Sequence, residues 1–476
     1  MCFNVLLVSL SRRYLGPLIH LSRYFSKKSS KFVPRKMDLN LRVRENPVVT
    51  ILKREEYAAI LTEDLVDLLD LFKKYKYEIR LAGGPVRDLL MKKIPSDIDL
   101  ATTATPTQMK EMFTQEEVRM VNANGEKHGT ITPRINDSSN FEVTTLRIDV
   151  TTDGRHAEVE FTTDWQLDAN RRDLTINSMF MSLDDGTIYD YFFGFEDLQN
   201  RRVAFVGSAE TRIQEDYLRI LRYFRFYGRI AEVANNHEED TLKAIKQNVA
   251  GLERISGERI WVELKKILQG RFTCELIKVM LECGMAKFIG LPEEPNIAEF
   301  ERLCETKKNF DSSLNSATIL SSLLWTPEDA VKLNERLKFS AFERDLIFYI
   351  IQNREQTRDV EKIVHFQKMC FQTIGKLSEM RSFVEQLLMY HNKKDLQQLL
   401  SQWEIPRFPV NGSVLKEHGC PSGRSMGIVM SALKEIWANE EFKSTTEDLL
   451  KHLPGILEKR ESNRSPPLAQ KKQRKI

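Results

Sequence analysis

The sequence lacks any apolar stretch long enough to cross a bilayer. A membrane-spanning helix needs about 20 consecutive apolar residues, and charged side chains interrupt the apolar runs of this chain before that length. The chain has 476 residues, of which 41% are hydrophobic, so it is long enough to bury the cores of several domains. We therefore expect a soluble, multidomain protein without membrane insertion.

Cysteine and histidine are few and scattered. No two of the six cysteines are separated by two residues, which argues against a zinc site or a disulfide framework and indicates a reducing compartment. His128 and His156 have no second ligand at helical or hairpin spacing, so we interpret them as hydrogen-bonding or structural residues. The cysteines are Cys2, Cys274, Cys283, Cys304, Cys370 and Cys420.

The most informative stretch of the sequence is LAGGPVRDLLMKKIPSDIDLAT, at Leu81 to Thr102. Near its C-terminal end it contains two carboxylates separated by one residue. Alternate side chains of an extended strand share a face, so Asp97 and Asp99 are predicted to project together. Such a pair can bind two Mg²⁺ ions about 3.5–4 Å apart, which stabilise both the attacking hydroxyl and the leaving pyrophosphate of an in-line displacement. Glu142, in FEVTT, is either a further acidic group near this site or a charge on a strand surface.

The same stretch contains a pair of glycines and an arginine. Gly83 and Gly84 permit a tight turn and a close approach of backbone N–H groups to a triphosphate. Arg87 adds a guanidinium group, whose donors match phosphate oxygens. Together with the two carboxylates, these residues indicate a nucleotidyl-transfer site.

A second polar pattern lies in EDYLRILRYFR, residues 215–225. Asp216, Arg219, Arg222 and Arg225 recur at three-residue steps, so on a helix they would form one polar stripe. Three arginines exceed the charge that the two neighbouring acidic residues can neutralise, and we interpret the excess as a cationic surface for phosphate or bases. The alternative is an amphipathic helix stabilised by ion pairs.

Asp216 and Arg219 also match the pairing edges of two bases. Cytosine and adenine each present an amino donor beside a ring-nitrogen acceptor, whereas uracil and guanine present a carbonyl beside an N–H donor. Asp216 could accept from the amino group while Arg219 donates to the ring nitrogen, which would admit CTP and ATP without a template. Unpaired buried polar groups against a wrong base can give discrimination of about 10⁴–10⁵.

Five motifs in this order resemble those of the class II CCA-adding enzymes, the tRNA nucleotidyltransferases. The resemblance covers about residues 75 to 270, and the ungapped DGRHAEVEFTTDW at residues 153–165 is similar to the eukaryotic mitochondrial and cytosolic branch. The motifs are GGPVRD with DID, RRDLTIN at 171–177, DYFFGFEDL at 190–198, EDYLRILRYFR at 215–225 and ISGERI at 255–260.

The resemblance implies a fold and a reaction. The fold would be α+β, with a polymerase-beta-like mixed-sheet head followed by an all-helical neck, body and tail. The reaction would be template-independent addition or repair of the 3′-terminal CCA of tRNA from CTP and ATP, with release of pyrophosphate and Mg²⁺ as cofactor. A poly(A) polymerase or an enzyme adding part of CCA is the same-class alternative, and a noncatalytic RNA-binding protein is the other.

The resemblance also implies roles for individual residues. Asp97 and Asp99 would bind the metal ions, and Asp216 with Arg219 would act as the protein template. Arg172, Arg222 and Arg225 match family positions that contact the nucleotide or its phosphates. The partners would be tRNA with a missing or incomplete CCA end, CTP and ATP. Both a monomer and a homodimer are compatible with the sequence.

Hydrophobic periodicity predicts the organisation of the chain. It indicates one helix over Glu55 to Tyr75, and mostly helices from Thr211 onward. Strands are predicted at Tyr77–Leu81, Ser96–Leu100, Phe141–Arg147, Ala157–Thr162 and Thr187–Tyr191. The expected domains are a catalytic head at 38–210, a nucleotide-selecting neck at 211–270, a body at 271–400 and a tRNA-binding tail at 401–463.

Basic charge is concentrated at the two ends. Residues 1–37 contain eight Lys or Arg and no acidic residue, which predicts a mitochondrial transit peptide, with a disordered basic tail as the alternative. A product starting at Met37 would lack this segment, so we expect a matrix form and a cytoplasmic and nuclear form. Residues 464–476 carry five basic residues and are predicted to be disordered. Subtracting these thirteen positive charges from the net charge of +3 leaves −10 for residues 38–463. We therefore expect the basic residues of that segment to gather on one face.

Overall fold

The computed structural model describes residues 42–121, 123–152, 157–308, 310, 314–371, 377–404 and 406–462. All of them belong to one compact unit, Arg42–Ile476. The predicted transit peptide, Met37 and the basic segment at 464–476 lie outside the described residues, as does part of the 153–165 stretch. No helix in the described part of the chain is long and apolar enough to span a membrane.

The first part of the chain forms a mixed β-sheet flanked by short helices. Its strand order is β1-β11-β10-β2-β3-β7-β5-β4, with β6 beside β5, and β8 and β9 form a separate hairpin. The β3–β7 pair is parallel and the other pairs are antiparallel. The strands are β1 Val48–Ile51, β2 Ile79–Ala82, β3 Asp99–Thr102, β4 Arg119–Val121, β5 Thr130–Ile135, β6 Ser139–Asn140, β7 Glu142–Thr145, β8 Arg147–Thr152, β9 Ala157–Phe161, β10 Phe180–Met181 and β11 Thr187–Tyr189.

Two elements that the sequence predicted as continuous are divided in the structure. The helix predicted over Glu55 to Tyr75 is interrupted, because the Thr62 hydroxyl accepts from the backbone N–H of Leu65 and starts a new helix there. The predicted strand Phe141–Arg147 is divided into β7 and β8. The helices of this part are α1 Arg54–Tyr57, α2 Glu63–Lys74, α3 Gly84–Leu90, α4 Pro106–Gln115, α5 Trp165–Asn170 and α6 Gly194–Gln199.

Helices make up the regular structure after the sheet, as the sequence predicted. The α+β head followed by a helical remainder is therefore confirmed. These helices are α7 Ala209–Glu215, α8 Arg219–Ile230, α9 Glu239–Asn248, α10 Gly257–Gln269, α11 Thr273–Glu282, α12 Ile297–Lys307, α13 Ser316–Ser321, α14 Pro327–Leu337, α15 Ala341–Thr357, α16 Ile363–Met369, α17 Leu377–Tyr390, α18 Lys394–Gln402, α19 Gly412–Glu417, α20 Arg424–Asn439, α21 Thr446–Leu450 and α22 Leu453–Ser462.

Buried apolar side chains link the sheet to the first helices behind it. One continuous core runs from Leu52 to Leu400 and includes the neck helices α8 and α10, which pack against each other. A further cluster, from Val410 to Leu453, surrounds the buried ring of Trp437. The shared core fixes the neck helices relative to β3, and this arrangement forms the cavity described next.

Candidate active site

A polar cavity of about 720 Å³ lies between the sheet and the neck helices. Nine basic and six acidic side chains line it, so its walls carry an excess of positive charge that suits a polyphosphate. All ten site residues predicted from the sequence line this cavity. They are Gly83, Gly84, Arg87, Asp97, Asp99, Arg172, Asp216, Arg219, Arg222 and Arg225.

The two glycines form the turn between β2 and α3. Gly83 has a φ of 72°, in the left-handed region that favours glycine, and a Cβ there would lie 2.7 Å from Nη1 of Arg172. The N–H of Gly83 donates to the carbonyl oxygen of Met179 at 2.8 Å. The N–H of Gly83 is therefore already paired within the protein.

Asp97 lies in a bend, and Asp99 is the first residue of β3. Both residues line the cavity. The predicted strand Ser96–Leu100 therefore begins later, at Asp99. In the neighbouring parallel strand the partner of Asp99 is Glu142. The pKa of Asp99 is raised, first by desolvation and then by Glu142 and Asp97, against the opposing effect of Arg172. Glu142 and Asp97 thus lie near enough to Asp99 to disfavour its negative charge.

This arrangement fits a divalent cation. Among the described residues, neither Asp97 nor Asp99 forms an ion pair with a basic side chain, and the hydroxyl of Ser96 donates to Asp97 at 3.1 Å. No group of three or more His, Cys, Asp or Glu side chains is assembled for a metal in the described ranges. Mg²⁺ is commonly held by one or two carboxylates together with substrate phosphates and water, so the Asp97–Asp99 pair is a suitable donor set.

Arg87 and Arg172 are both held by carboxylates. Arg87 is 3% exposed and donates to Asp88 and to the side-chain oxygen of Asn177; burial lowers its pKa to about 10. Arg172 lies 3.1 Å from Asp168. Although burial acts in the opposite direction, Arg171 and Arg172 hold the pKa of Asp168 at about 2. The two guanidinium groups are thus fixed in place before any ligand binds.

Asp216 lies between two consecutive helices, where the helical structure is interrupted. Helix α7 ends at Glu215, Asp216 is extended, and α8 begins at Arg219. Oδ1 of Asp216 accepts from the N–H of Leu218 at 3.0 Å, an Asx turn that competes with continued helix. The prediction that Asp216 shares one helical stripe with the arginines was therefore wrong, although all four side chains do line the same cavity.

The three arginines of α8 are paired, and the prediction of unneutralised charge was wrong at these positions. Arg219 donates to Glu215 and, through Nη2, to the carbonyl oxygen of Arg171 at 2.9 Å. Arg222 pairs with Asp173, and Arg225 lies 3.1 Å from Glu263. Although burial acts in the opposite direction, Arg222 holds the pKa of Asp173 at about 2.

Helix α10 supplies residues that were not predicted from the sequence. Arg259 donates to Asp216, Glu263 pairs with Arg225, and Lys266 lines the cavity. Their spacing of four and three residues is a signal that could have placed them on one helix face. Gly257 starts α10 where a Cβ would lie 1.8 Å from the carbonyl oxygen of Arg336, so glycine lets α10 approach α14 closely.

Two family models match this chain, and two vertebrate relatives with one name are similar to it. Residues 79–204 match the family described as "Poly A polymerase head domain", and residues 237–295 match "Probable RNA and SrmB- binding site of polymerase A". The "CCA tRNA nucleotidyltransferase 1, mitochondrial" of Danio rerio is 48% identical over 407 residues, 84% of this chain and 93% of the relative. The protein of the same name from Homo sapiens is 48% identical over 406 residues, 84% and 92% of the two chains.

Solved structures of CCA-adding enzymes are also similar to this chain. The Bacillus stearothermophilus CCA-adding enzyme in complex with CTP has a TM-score of 0.64 and 25% identity, covering 84% of this chain and 99% of that one. The Thermotoga maritima CCA-adding enzyme, with a TM-score of 0.59 and 18% identity, shares the fold over 86% of this chain and all of its own. The resemblance inferred from the five motifs is confirmed: the chain belongs to the family of CCA-adding tRNA nucleotidyltransferases.

Proposed function

We propose that this enzyme builds or repairs the 3′-terminal CCA of tRNA, transferring CMP twice and AMP once from CTP and ATP to the terminal hydroxyl. Family membership supports the reaction. The observation that supports the site best is that ten residues from widely separated motifs line one cavity. In the domain division that we propose, the head at 38–210 carries the carboxylates, and the neck at 211–270 selects the base.

Asp97 and Asp99 are the proposed ligands of Mg²⁺. Bound Mg²⁺ would supply activation of the terminal hydroxyl and charge neutralisation at the leaving pyrophosphate. The chain itself contributes position and charge: Arg172, Arg222 and Arg225 present fixed guanidinium groups to the triphosphate or the base. Each of these arginines forms an ion pair with a carboxylate, and the two groups hold each other in position. Ligand binding therefore requires little rearrangement of the cavity walls.

Asp216 and Arg219 are the proposed base-selecting pair. A carboxylate offers about four acceptor sites, so Asp216 can accept from a base amino group while it still accepts from Leu218 and Arg259. The described contacts of Arg219 use Nη1 and Nη2, which leaves Nε–H to donate to the ring nitrogen. Uracil or guanine would bring an acceptor to Asp216 and a donor to Arg219, and both would be repelled.

We also propose where the enzyme works. The vertebrate relatives are named mitochondrial, and residues 1–37 are basic and free of acidic residues, as in a transit peptide. A product starting at Met37 would serve the cytoplasm and nucleus.

One experiment tests the reaction. Purified protein is incubated with a tRNA lacking CCA and with each nucleoside triphosphate, alone and together, and the added sequence is read. The proposal requires C, C and A in that order, with no addition from UTP or GTP. A run of adenosines would indicate a poly(A) polymerase, and no addition from any nucleotide would indicate an RNA-binding protein.

A further inference from the structure

Lys266 differs from every other cation that lines the cavity. It lies on α10, is exposed, and forms no hydrogen bond or ion pair with the residues that the structure describes. Each of the eight arginines around the cavity donates to a carboxylate or a carbonyl oxygen; Arg229, for example, lies 2.8 Å from Asp88, and Arg147 donates to the carbonyl oxygen of His128. No described residue accepts a hydrogen bond from the three donors of Lys266.

Lys266 shares the cavity lining with Arg222 and Arg225. The charges of Arg225 and Arg222 disfavour the charged form of Lys266, whereas those of Glu263 and Asp97 favour it. The pKa of Lys266 is lowered, first by desolvation and next by Arg225. An arriving anion would favour the charged form of Lys266. The proximity of Asp97 places that anion beside the carboxylates proposed to bind metal.

We infer that Lys266 binds a substrate phosphate in the catalytic cavity. The inference rests on the proposed function, because two phosphates would reach this point during nucleotide addition: the triphosphate of CTP or ATP, and the terminal phosphodiester of the tRNA. Lysine suits either, since its ammonium is a compact charge on a flexible stem. Unlike the arginines, it has no partner among the residues that the structure describes.

The neighbouring residue provides a matched control. Lys265 is on the same helix, but its Nζ lies 2.9 Å from Glu343, and it is not among the residues that line the cavity. Lys265→Ala removes the same charge from the same helix without removing a cation from the cavity. Lys266→Arg keeps the charge, so it should restore most of what Lys266→Ala loses if the ligand is an anion.

The test measures binding and addition for wild type, Lys266→Ala, Lys266→Arg and Lys265→Ala. CTP is titrated into the tRNA-free protein, and tRNA lacking CCA into the nucleotide-free protein. Lys266→Ala should weaken one of these ligands about tenfold, the loss expected for one charge-assisted hydrogen bond, whereas Lys265→Ala should not. Weaker CTP binding identifies the triphosphate, and weaker tRNA binding identifies the terminal phosphodiester.

Two results overturn the inference. Unchanged binding of both ligands by Lys266→Ala means that Lys266 contacts neither phosphate. Equal weakening by Lys265→Ala means that only the general charge of α10 matters. Wild-type protein that adds no nucleotide to tRNA would instead contradict the proposed function, so the two failures are distinguishable. The melting temperature of each variant verifies folding.

Discussion

Arg259 on α10 donates to Oδ2 of Asp216 with a distance of 2.7 Å between Nη2 and Oδ2. The other oxygen of Asp216 accepts from Leu218 at the start of α8. The carboxylate proposed to select the base is therefore oriented by two separate helices of the neck. Arg259 is 43 residues from Asp216 in the chain, so a contact that is distant in sequence helps to set the direction of this carboxylate.

We expect Arg259→Ala to reduce base selectivity. Asp216 would keep its contact with Leu218 but lose the group that orients Oδ2, so addition from CTP and ATP should slow, and addition from UTP should become measurable. The ion pair is partly exposed, so the free energy of unfolding should fall by about 1 kcal/mol or less. Primer extension on tRNA lacking CCA, with single nucleotides, measures the selectivity. Retention of wild-type rates and selectivity would show that Arg259 has no orienting role.

Asp97→Ala and Asp99→Ala should each abolish nucleotide addition while the fold persists. Loss of a metal ligand removes several kcal/mol of transition-state stabilisation, which corresponds to about 10³-fold or more in rate. The raised pKa of Asp99 means that its negative charge is disfavoured in the folded state, so its removal should not lower the melting temperature at neutral pH. Near-normal turnover by either variant in Mg²⁺ would contradict the assignment of the carboxylate pair.

Acid stability should depend on Asp168. The folded-state pKa is lowered to about 2, below the usual value of about 3.9. This carboxylate therefore stabilises the fold above about pH 4, and its contribution is lost as the pH falls toward 2. Urea unfolding at several pH values should show a shallower acid-side decline for Asp168→Asn, from a lower starting stability because Arg171 and Arg172 lose their partner. A parallel decline in the two proteins would be the contrary result.

Residues 1–37 should direct a fluorescent fusion to mitochondria, whereas full protein expressed from Met37 should stay outside them. The reason is that the positive charge of the acid-free segment carries the signal. Imaging of both fusions with a matrix marker checks this. Mitochondrial entry of the shorter product would mean that the signal lies downstream.

The motif positions were predictable from the sequence, but several of their contacts were not. Local patterns identified Gly83, Asp97 and Arg219 because each type of residue serves a recognisable chemistry at its spacing. The interruption of the helix at Asp216 was missed, since an aspartate that forms an Asx turn three residues before Arg219 has the same spacing as one within a helix.

Long-range pairing was the other source of error. Arg222 pairs with Asp173 and Arg225 with Glu263, at separations of 49 and 38 residues in the sequence. Helical spacing reports only neighbours three or four residues away, so it could not reveal that these arginines are neutralised. The same limit hid the parallel alignment of Glu142 with Asp99, which depends on the order of strands in the sheet.

The base-selection measurement tests the account most directly. Wild type, Asp216→Ala and Arg219→Ala are offered tRNA lacking CCA and each nucleotide alone. Arg344→Ala and Asp345→Ala, which break an exposed Arg–Asp pair on α15, serve as controls. We expect the two site variants to add CTP and ATP more slowly and to discriminate less against UTP and GTP, while both controls match wild type. Unchanged preference for CTP and ATP in Asp216→Ala and Arg219→Ala would contradict this expectation.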